Sequence, residues 1–263
     1  MTLPDRLEAD LEHLIKRVAT FIQREATHFN RDAIQHKGIH NLVSYVDITA
    51  EKLLKEGCRR LIPDCGFINE ETENEVSKNG YTWIIDPLDG TTNFLHGVPH
   101  YSISLALQYQ QEIILGYVYG ISADELFKAR KGYGATLNGK PIHVSALTNL
   151  KQGLFVTGFP YVRESRIEES LEIFRRFLFE SHGIRRYGSA ALDLAYVACG
   201  RFDGFYEVGL NPWDIAAGAL LVQEAGGKVS TFQGNSDFLF AKELIASNGK
   251  VHQEMTELIL FQD

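Results

Sequence analysis

The chain has 263 residues, 44% of them hydrophobic, which suits one large packed domain or two modest ones sharing a core and gives no reason to expect disorder. Its formal charge of −8 argues against a nucleic-acid surface, where Lys and Arg would cluster, and agrees better with a cation site. Cys58, Cys65 and Cys199 are odd in number, form no C-x-x-C pair and follow no signal peptide, so they read as buried small side chains in a reduced cytoplasm; no apolar run approaches the ~18 residues a membrane span needs.

Leu7, Leu11, Leu14, Ile15, Val18, Phe21 and Ile22 recur at helical spacing, which predicts an amphipathic helix over about 5–28. A second helix is predicted over 44–61, with Ser44 and Asp47 in N-cap and N3 relation, Leu53, Leu54 and Leu61 on the apolar face, and Pro63 after the end. Asp47 has a sufficient structural reason to be there, as a first-turn acid favoured by the helix dipole. Phe67-Ile68 predicts a short strand, followed by Asn69-Glu70-Glu71-Thr72 and a polar stretch in which Glu71, Glu73 and Glu75 read as a solvated acidic loop.

Trp83 to Ile85 then reads as the end of a buried strand that delivers Asp86 and Asp89 into a turn shaped by Pro87 and Gly90. Asp-Pro and Asp-Gly are also ordinary turn dipeptides. Two carboxylates held close together at a buried strand end repel each other unless a cation lies between them, and a hard divalent ion suits all-oxygen ligands. Gly90, Thr91 and Thr92 add flexible backbone and hydroxyls whose N–H groups could face an anion. His96 and His100 stand four apart, but Gly97 and Pro99 speak against a helix carrying both, so they read as structural, as do His36 and His40. Ser102 to Leu107 pairs with Ile113 to Tyr119, Leu126 to Ala129 adds a strand, and Asn138-Gly139 is a tight hairpin turn in a largely antiparallel sheet.

A seam is expected near 145–152, after which Leu154 to Thr157 predicts a strand and 164–181 a helix with Ile167, Leu171, Phe174 and Leu178 on one face. Ser189 is the natural N-cap of a small-residue helix through Cys199. Phe202 to Val208 predicts a strand, Asp214 the start of an Ala- and Gly-rich helix ending at Gly226-Gly227, and Val229 to Phe232, Leu244 to Ala246 and Val251 to Leu260 two strands and a closing helix. No Ser-His-Asp order, reactive Cys context or G-x-x-x-x-G-K loop is visible.

The string Asp86-Pro87-Leu88-Asp89-Gly90-Thr91-Thr92-Asn93-Phe94, with a second signature from Asn211-Pro212-Trp213-Asp214 through Gly218 to Ala225-Gly226-Gly227, resembles the inositol monophosphatase family, the Mg2+-dependent, lithium-sensitive phosphomonoesterases related to fructose-1,6-bisphosphatase. With Asp47 and Glu70 the resemblance spans almost the whole chain. It implies a layered αβαβα sandwich of the α+β or α/β class, with an N-terminal half over 1–148 that carries the metal motif and a C-terminal half over 149–263 that completes the site.

It further implies two or three Mg2+ ions, the first held by Glu70, Asp86, the Leu88 carbonyl and Thr91, the second by Asp86, Asp89 and Asp214, and a weaker third near Glu70. Thr91 and Asp47, with Glu70, would orient and deprotonate the attacking water. Substrate would meet Asp89, Gly90, Thr91, Gly188, Ser189, Ala190, Glu207 and Asp214. Asn69 stands where the family has glycine, which puts the geometry of the Glu70 loop in question. The expected activity is hydrolysis of inositol monophosphates by a homodimer. Relatives of the same fold act on fructose bisphosphate, NADP, 3′-phosphoadenosine nucleotides or histidinol phosphate, and a different class of role, as a binding protein in an RNA or transcription assembly, is attributed to bacterial relatives.

Overall fold

In a computed structural model, described here for residues 4, 6–28, 35–36, 42–160 and 166–260, the apolar stripe near the N-terminus forms helix α1 (Leu7–His28), with Leu7, Leu11, Leu14, Ile15, Val18 and Ile22 buried. Strands β1 (Gln35–His36) and β2 (Leu42–Val43) form a small antiparallel pair. His40 and the first residues of the helix expected from 164 lie outside the described residues. Helix α2 (Tyr45–Leu61) is capped by Ser44, whose hydroxyl accepts from the Val46 and Asp47 amides while its own N–H donates to Asp47 Oδ2 at 2.9 Å. That reciprocal capping box is the one the spacing predicts.

Strands β3 (Gly66–Asn69) and β4 (Tyr81–Asp89), helix α3 (Thr91–His96), and strands β5 (Ser102–Tyr109), β6 (Glu112–Gly120), β7 (Glu125–Arg130), β8 (Gly134–Leu137) and β9 (Lys140–Pro141) follow. The strands make a seven-stranded sheet in chain order, antiparallel throughout except for the parallel β3–β4 pair. Asn138 and Gly139 both have positive φ, 48° and 78°, as the tight turn between β8 and β9 requires.

The second sheet collects β10 (Leu154–Thr157), β11 (Gly183–Arg185), β12 (Gly204–Val208), β13 (Lys228–Ser230) and β14 (Glu243–Ser247) in the order β11-β10-β12-β14-β13. Helices α4 (Ile167–Glu180), α5 (Ala190–Ala198), α6 (Pro212–Glu224) and α7 (His252–Leu260) connect and cover it. Three apolar clusters define five layers. One lies between α1/α2 and the seven-stranded sheet; the second joins that sheet's other face to α5, α6 and the second sheet; the third lies between the second sheet and α4/α7. This is the αβαβα sandwich expected.

Strand β4 is buried on both faces, with Trp83 and Ile85 toward α1 and α2 and Ile84 toward α5 and α6, each such side chain contributing roughly 1.5–3 kcal/mol. The α4 stripe differs from the sequence expectation. Ser170, Ile173 and Phe177 are the buried residues, whereas Leu171 and Leu178 are 46% and 54% exposed. Both stripes have helical spacing, and contact with the second sheet selected the neighbouring one. No helix among the described residues is long and apolar enough to cross a membrane.

Candidate active site

In a regular strand, side chains three residues apart point to opposite faces. Asp86 and Asp89 nevertheless line one cleft, because β4 carries an extra residue there: Asp86 pairs with Ser104 and Asp89 with Ser102, three steps on one strand against two on its partner. Pro87, which has no N–H to give a ladder, falls inside this bulge. Leu88 N–H donates to Asp86 Oδ1 at 3.0 Å, which fixes the first carboxylate. Gly90 has φ 97°, and a Cβ there would lie 3.1 Å from the carbonyl oxygens of both Gly188 and His100, so glycine is required by conformation and by space. Asn93 bridges the same two segments, its amide donating to the His100 and Tyr187 carbonyls at 2.7 Å each.

Helix α5 approaches Asp89 with its N-terminus. Ser189 Oγ and Ala191 N–H donate to Asp89 Oδ2 at 2.7 and 2.8 Å, and Ser189 also caps the helix through Leu192 N–H. Helix α6 supplies Asp214 at N3, held by Asn211 N–H to Oδ2 at 2.6 Å. The cap is thus Asn211 and not Asp214. Ser104 Oγ donates to the Trp213 carbonyl at 3.0 Å, which ties this first turn to the strand opposite Asp86. Glu70, half-buried at the end of β3, Asp86, Asp89 and Asp214 all line the same cleft, as do Leu88, Gly90 and Thr91.

These acids carry an electrostatic signature. Burial, then the charges of Glu70, Asp89 and Asp214, raise the Asp86 carboxyl well above the usual carboxylate range. Burial pushes Asp89 up to about 6 against the hydrogen bonds from Ser189 and α5, and burial with Asp89's charge pushes Asp214 up to about 7. Carboxylates that raise one another in this way want a compensating cation.

Asp47 stands behind the cleft at 1% exposure. Thr91 Oγ1 lies 2.9 Å from Asp47 Oδ1 and 3.0 Å from the Leu88 carbonyl, and it donates its single proton to one of them at a time. Burial raises the Asp47 carboxyl, opposed by hydrogen bonds from Ser44 and Thr91.

The Glu70 loop is fastened from α2. Glu51, fully buried, accepts from Glu71 N–H at 2.7 Å and from Thr72 Oγ1 at 2.5 Å. Asn69, in the glycine's place, donates from its amide to the Thr72 carbonyl at 2.7 Å and so tightens the turn. Glu75 departs from the solvated reading: it pairs with Lys55 at 2.9 Å and with Arg59, and these contacts hold its pKa down against burial. His96 and His100 do not share a helix, since Gly97 ends α3 with φ 73°.

The wall contributed by residues after 150 also holds Gly188, Ser189, Ala190 and Glu207, with Arg186 as a cation. Asp193 of α5 also lines this wall, which sequence reasoning missed. The available signal was a single acid inside an otherwise apolar helix, Ala-Ala-Leu-Asp-Leu-Ala. No three acids among the described residues already form a closed metal cage. The fit to a divalent cation rests instead on an all-oxygen donor set and on mutually repelling carboxyls that share one cleft.

A model of the inositol monophosphatase family matches residues 5–261. The Nus factor SuhB of Pseudomonas aeruginosa is 42% identical over 233 residues, 86% of each chain, and the inositol-1-monophosphatase of Rhizobium meliloti is 43% identical over 224 residues, covering 85% of this chain and 84% of its own. The crystal structure of extragenic suppressor protein suhB from Bartonella henselae superposes with a TM-score of 0.93 at 36% identity, over 98% of this chain and all of that one.

Proposed function

The chain belongs to the inositol monophosphatase family, and from that premise we propose that it hydrolyses small phosphate monoesters, inositol monophosphates foremost, with Mg2+ as cofactor. The observation that carries this reading is the convergence of Glu70, Asp86, Asp89 and Asp214 on one cleft, with Thr91 joined to Asp47 beside it. Glu70, Asp86, the Leu88 carbonyl and Thr91 are suited to one ion, and Asp86, Asp89 and Asp214 to a second, with Glu70 open to a weaker third. When bound, the ions supply charge neutralisation for the anionic ester and for the departing alkoxide.

The chain's own residues do the remaining work. Asp47, raised by burial, accepts from Thr91 and is placed to draw a proton through that hydroxyl, so the pair orients and deprotonates the attacking water with Glu70 at its side. The amides of Gly90 and Thr91 hold the phosphate. The backbone of Gly188, Ser189 and Ala190 admits the alcohol half, while Glu207, with Asp89 and Asp214, accepts its hydroxyl protons. Phosphate release by purified protein with millimolar Mg2+, measured over a panel of inositol-1-phosphate, fructose bisphosphate, NADP, 3′-phosphoadenosine nucleotides and histidinol phosphate, tests the reading. Absence of release from every ester on the panel would refute it.

A second reading is favoured by the relatives named Nus factor SuhB, namely a role in an RNA or transcription assembly in which hydrolysis is secondary. Asp86→Asn separates the two, since it removes the acid shared by both ion sites and leaves the outer surface untouched.

A further inference from the structure

Asp193 is a buried acid with no role in the capping, sheet pairing or carboxylate cluster described above. It lies in the first turns of α5 at 1% exposure, and its Oδ1 is buried without a hydrogen-bond partner. Buried polar atoms are almost always paired, and an unpaired carboxylate oxygen inside a protein carries a desolvation penalty. Nothing in α5 requires the group, because Ser189 caps the helix and the remaining positions are apolar. The side chain lines the cleft, as do Glu207 and Arg186.

Its neighbours define what it can recognise. Glu207 reaches the same wall from β12 and lies over the backbone of Gly158, where a Cβ would come within 2.2 Å of Glu207 Oε1; glycine is what lets this carboxylate reach the cleft. Burial and then the charge of Glu207 are the main causes that raise Asp193, and Arg186 is the one cation that opposes them. Burial raises the Glu207 carboxyl as well, and both acids line the cleft; a carboxyl that keeps its proton can donate and one that has lost it accepts, and a ligand hydroxyl, which does both, satisfies either form. With Arg186 already present as a positive charge, neutral hydroxyls suit the wall better than an ammonium group.

We infer that Asp193 acts with Glu207 in holding neighbouring hydroxyls of the alcohol half, which makes it a further specificity residue of this cleft. The inference rests on the phosphatase reading above. The buried Asp193 Oδ1 gains its missing partner when an alcohol half with such hydroxyls binds, and an ester without hydroxyls leaves it unpaired.

The test compares wild type, Asp193→Asn and Asp193→Ala on inositol-1-phosphate and on phenyl phosphate, whose alcohol half carries no further hydroxyl. The ratio of kcat/KM for the polyol ester over the phenyl ester is expected to fall about tenfold or more in Asp193→Ala, the loss of a hydrogen bond to a buried carboxyl, with Asp193→Asn intermediate because it keeps a neutral acceptor. KM for inositol-1-phosphate is expected to carry most of the change. Thermal midpoints should not fall in Asp193→Asn, since a buried carboxyl with an unpartnered oxygen is replaced by an amide of the same shape. An unchanged ratio in both variants, or a preference for histidinol phosphate that is lost in their place, overturns the inference. Should wild type release phosphate from neither phenyl phosphate nor any ester of the panel above, the phosphatase reading fails by itself. Calorimetric affinity for inositol-1-phosphate against inorganic phosphate then decides on Asp193: a selective loss in Asp193→Ala supports the assignment and equal affinities refute it.

Discussion

Asp86 is 2% exposed and has Glu70, Asp89 and Asp214 as charged neighbours, so its replacement separates chemistry from folding. Asp86→Asn is expected to lower kcat/KM more than about 100-fold, beyond the loss caused by removing a supporting partner. Without Mg2+ it should unfold at a higher temperature than wild type, because one of the mutually repelling acids is gone. Phosphate release and melting curves on the same preparation check both; a variant that loses activity only because it is unfolded would contradict the assignment. Asp89 and Asp214 lead to a pH dependence. Their folded-state values, about 6 and about 7, lie above the 3.8 of an unperturbed Asp, so the folded chain holds these protons more tightly than the unfolded one. In metal-free protein their stabilising contribution is full below that ordinary value and is lost as pH rises through about 6 to 7. Mg2+ competes with the same protons, so the difference in melting temperature with and without Mg2+ should widen across that window. A difference that stays constant from about pH 5 to about pH 8 would exclude these two carboxyls as ligands.

At the scale of elements, much of the frame was legible in the sequence, and its gaps have physical causes. The α1 stripe and the Ser44–Asp47 box depend on spacing within one helix, so local pattern suffices. The buried face of α4 and the three-residue strand β11 depend on contact with the second sheet, which no local pattern reports. The bulge that turns Asp86 and Asp89 to one side was foreshadowed only by Pro87, and Glu51 gave no sign that its carboxylate holds a loop twenty residues away. Glu51→Ala would leave the Glu71 amide and the Thr72 hydroxyl without their acceptor. It is expected to cost about 1–3 kcal/mol in denaturant unfolding and to raise the Mg2+ concentration for half-maximal activity about tenfold, through a loosened Glu70. Gly218 marks another contact between elements, since a Cβ there would meet Leu194 Cβ at 2.6 Å across the α5–α6 interface. Gly218→Val should therefore destabilise by about 1–3 kcal/mol and weaken Mg2+-dependent activity, because α5 holds Asp89 and α6 carries Asp214.

For the whole molecule, the cleft belongs to both sheets at once. The seven-stranded sheet supplies Glu70, Asp86 and Asp89, the second sheet supplies Glu207 from β12, and α5 and α6, packed between the sheets, contribute Ser189 and Asp214. A ligand bound only by the assembled cleft stabilises every part that must be in place to form it, by about 2.7 kcal/mol at a free concentration 100 times its Kd. Mg2+ with inorganic phosphate should accordingly slow amide exchange in two segments far apart in sequence, 66–95 and 204–216. Mg2+ alone should protect the first more strongly, because three of the four acids reside there. Protection confined to 66–95 with both ligands present would mean that Asp214 and its helix take no part, and the proposed site would shrink to the metal motif of the first sheet. Protection of both segments that disappears in Asp86→Asn would instead show that one shared carboxylate, set at the bulge of β4, links the two sheets through the ions it binds.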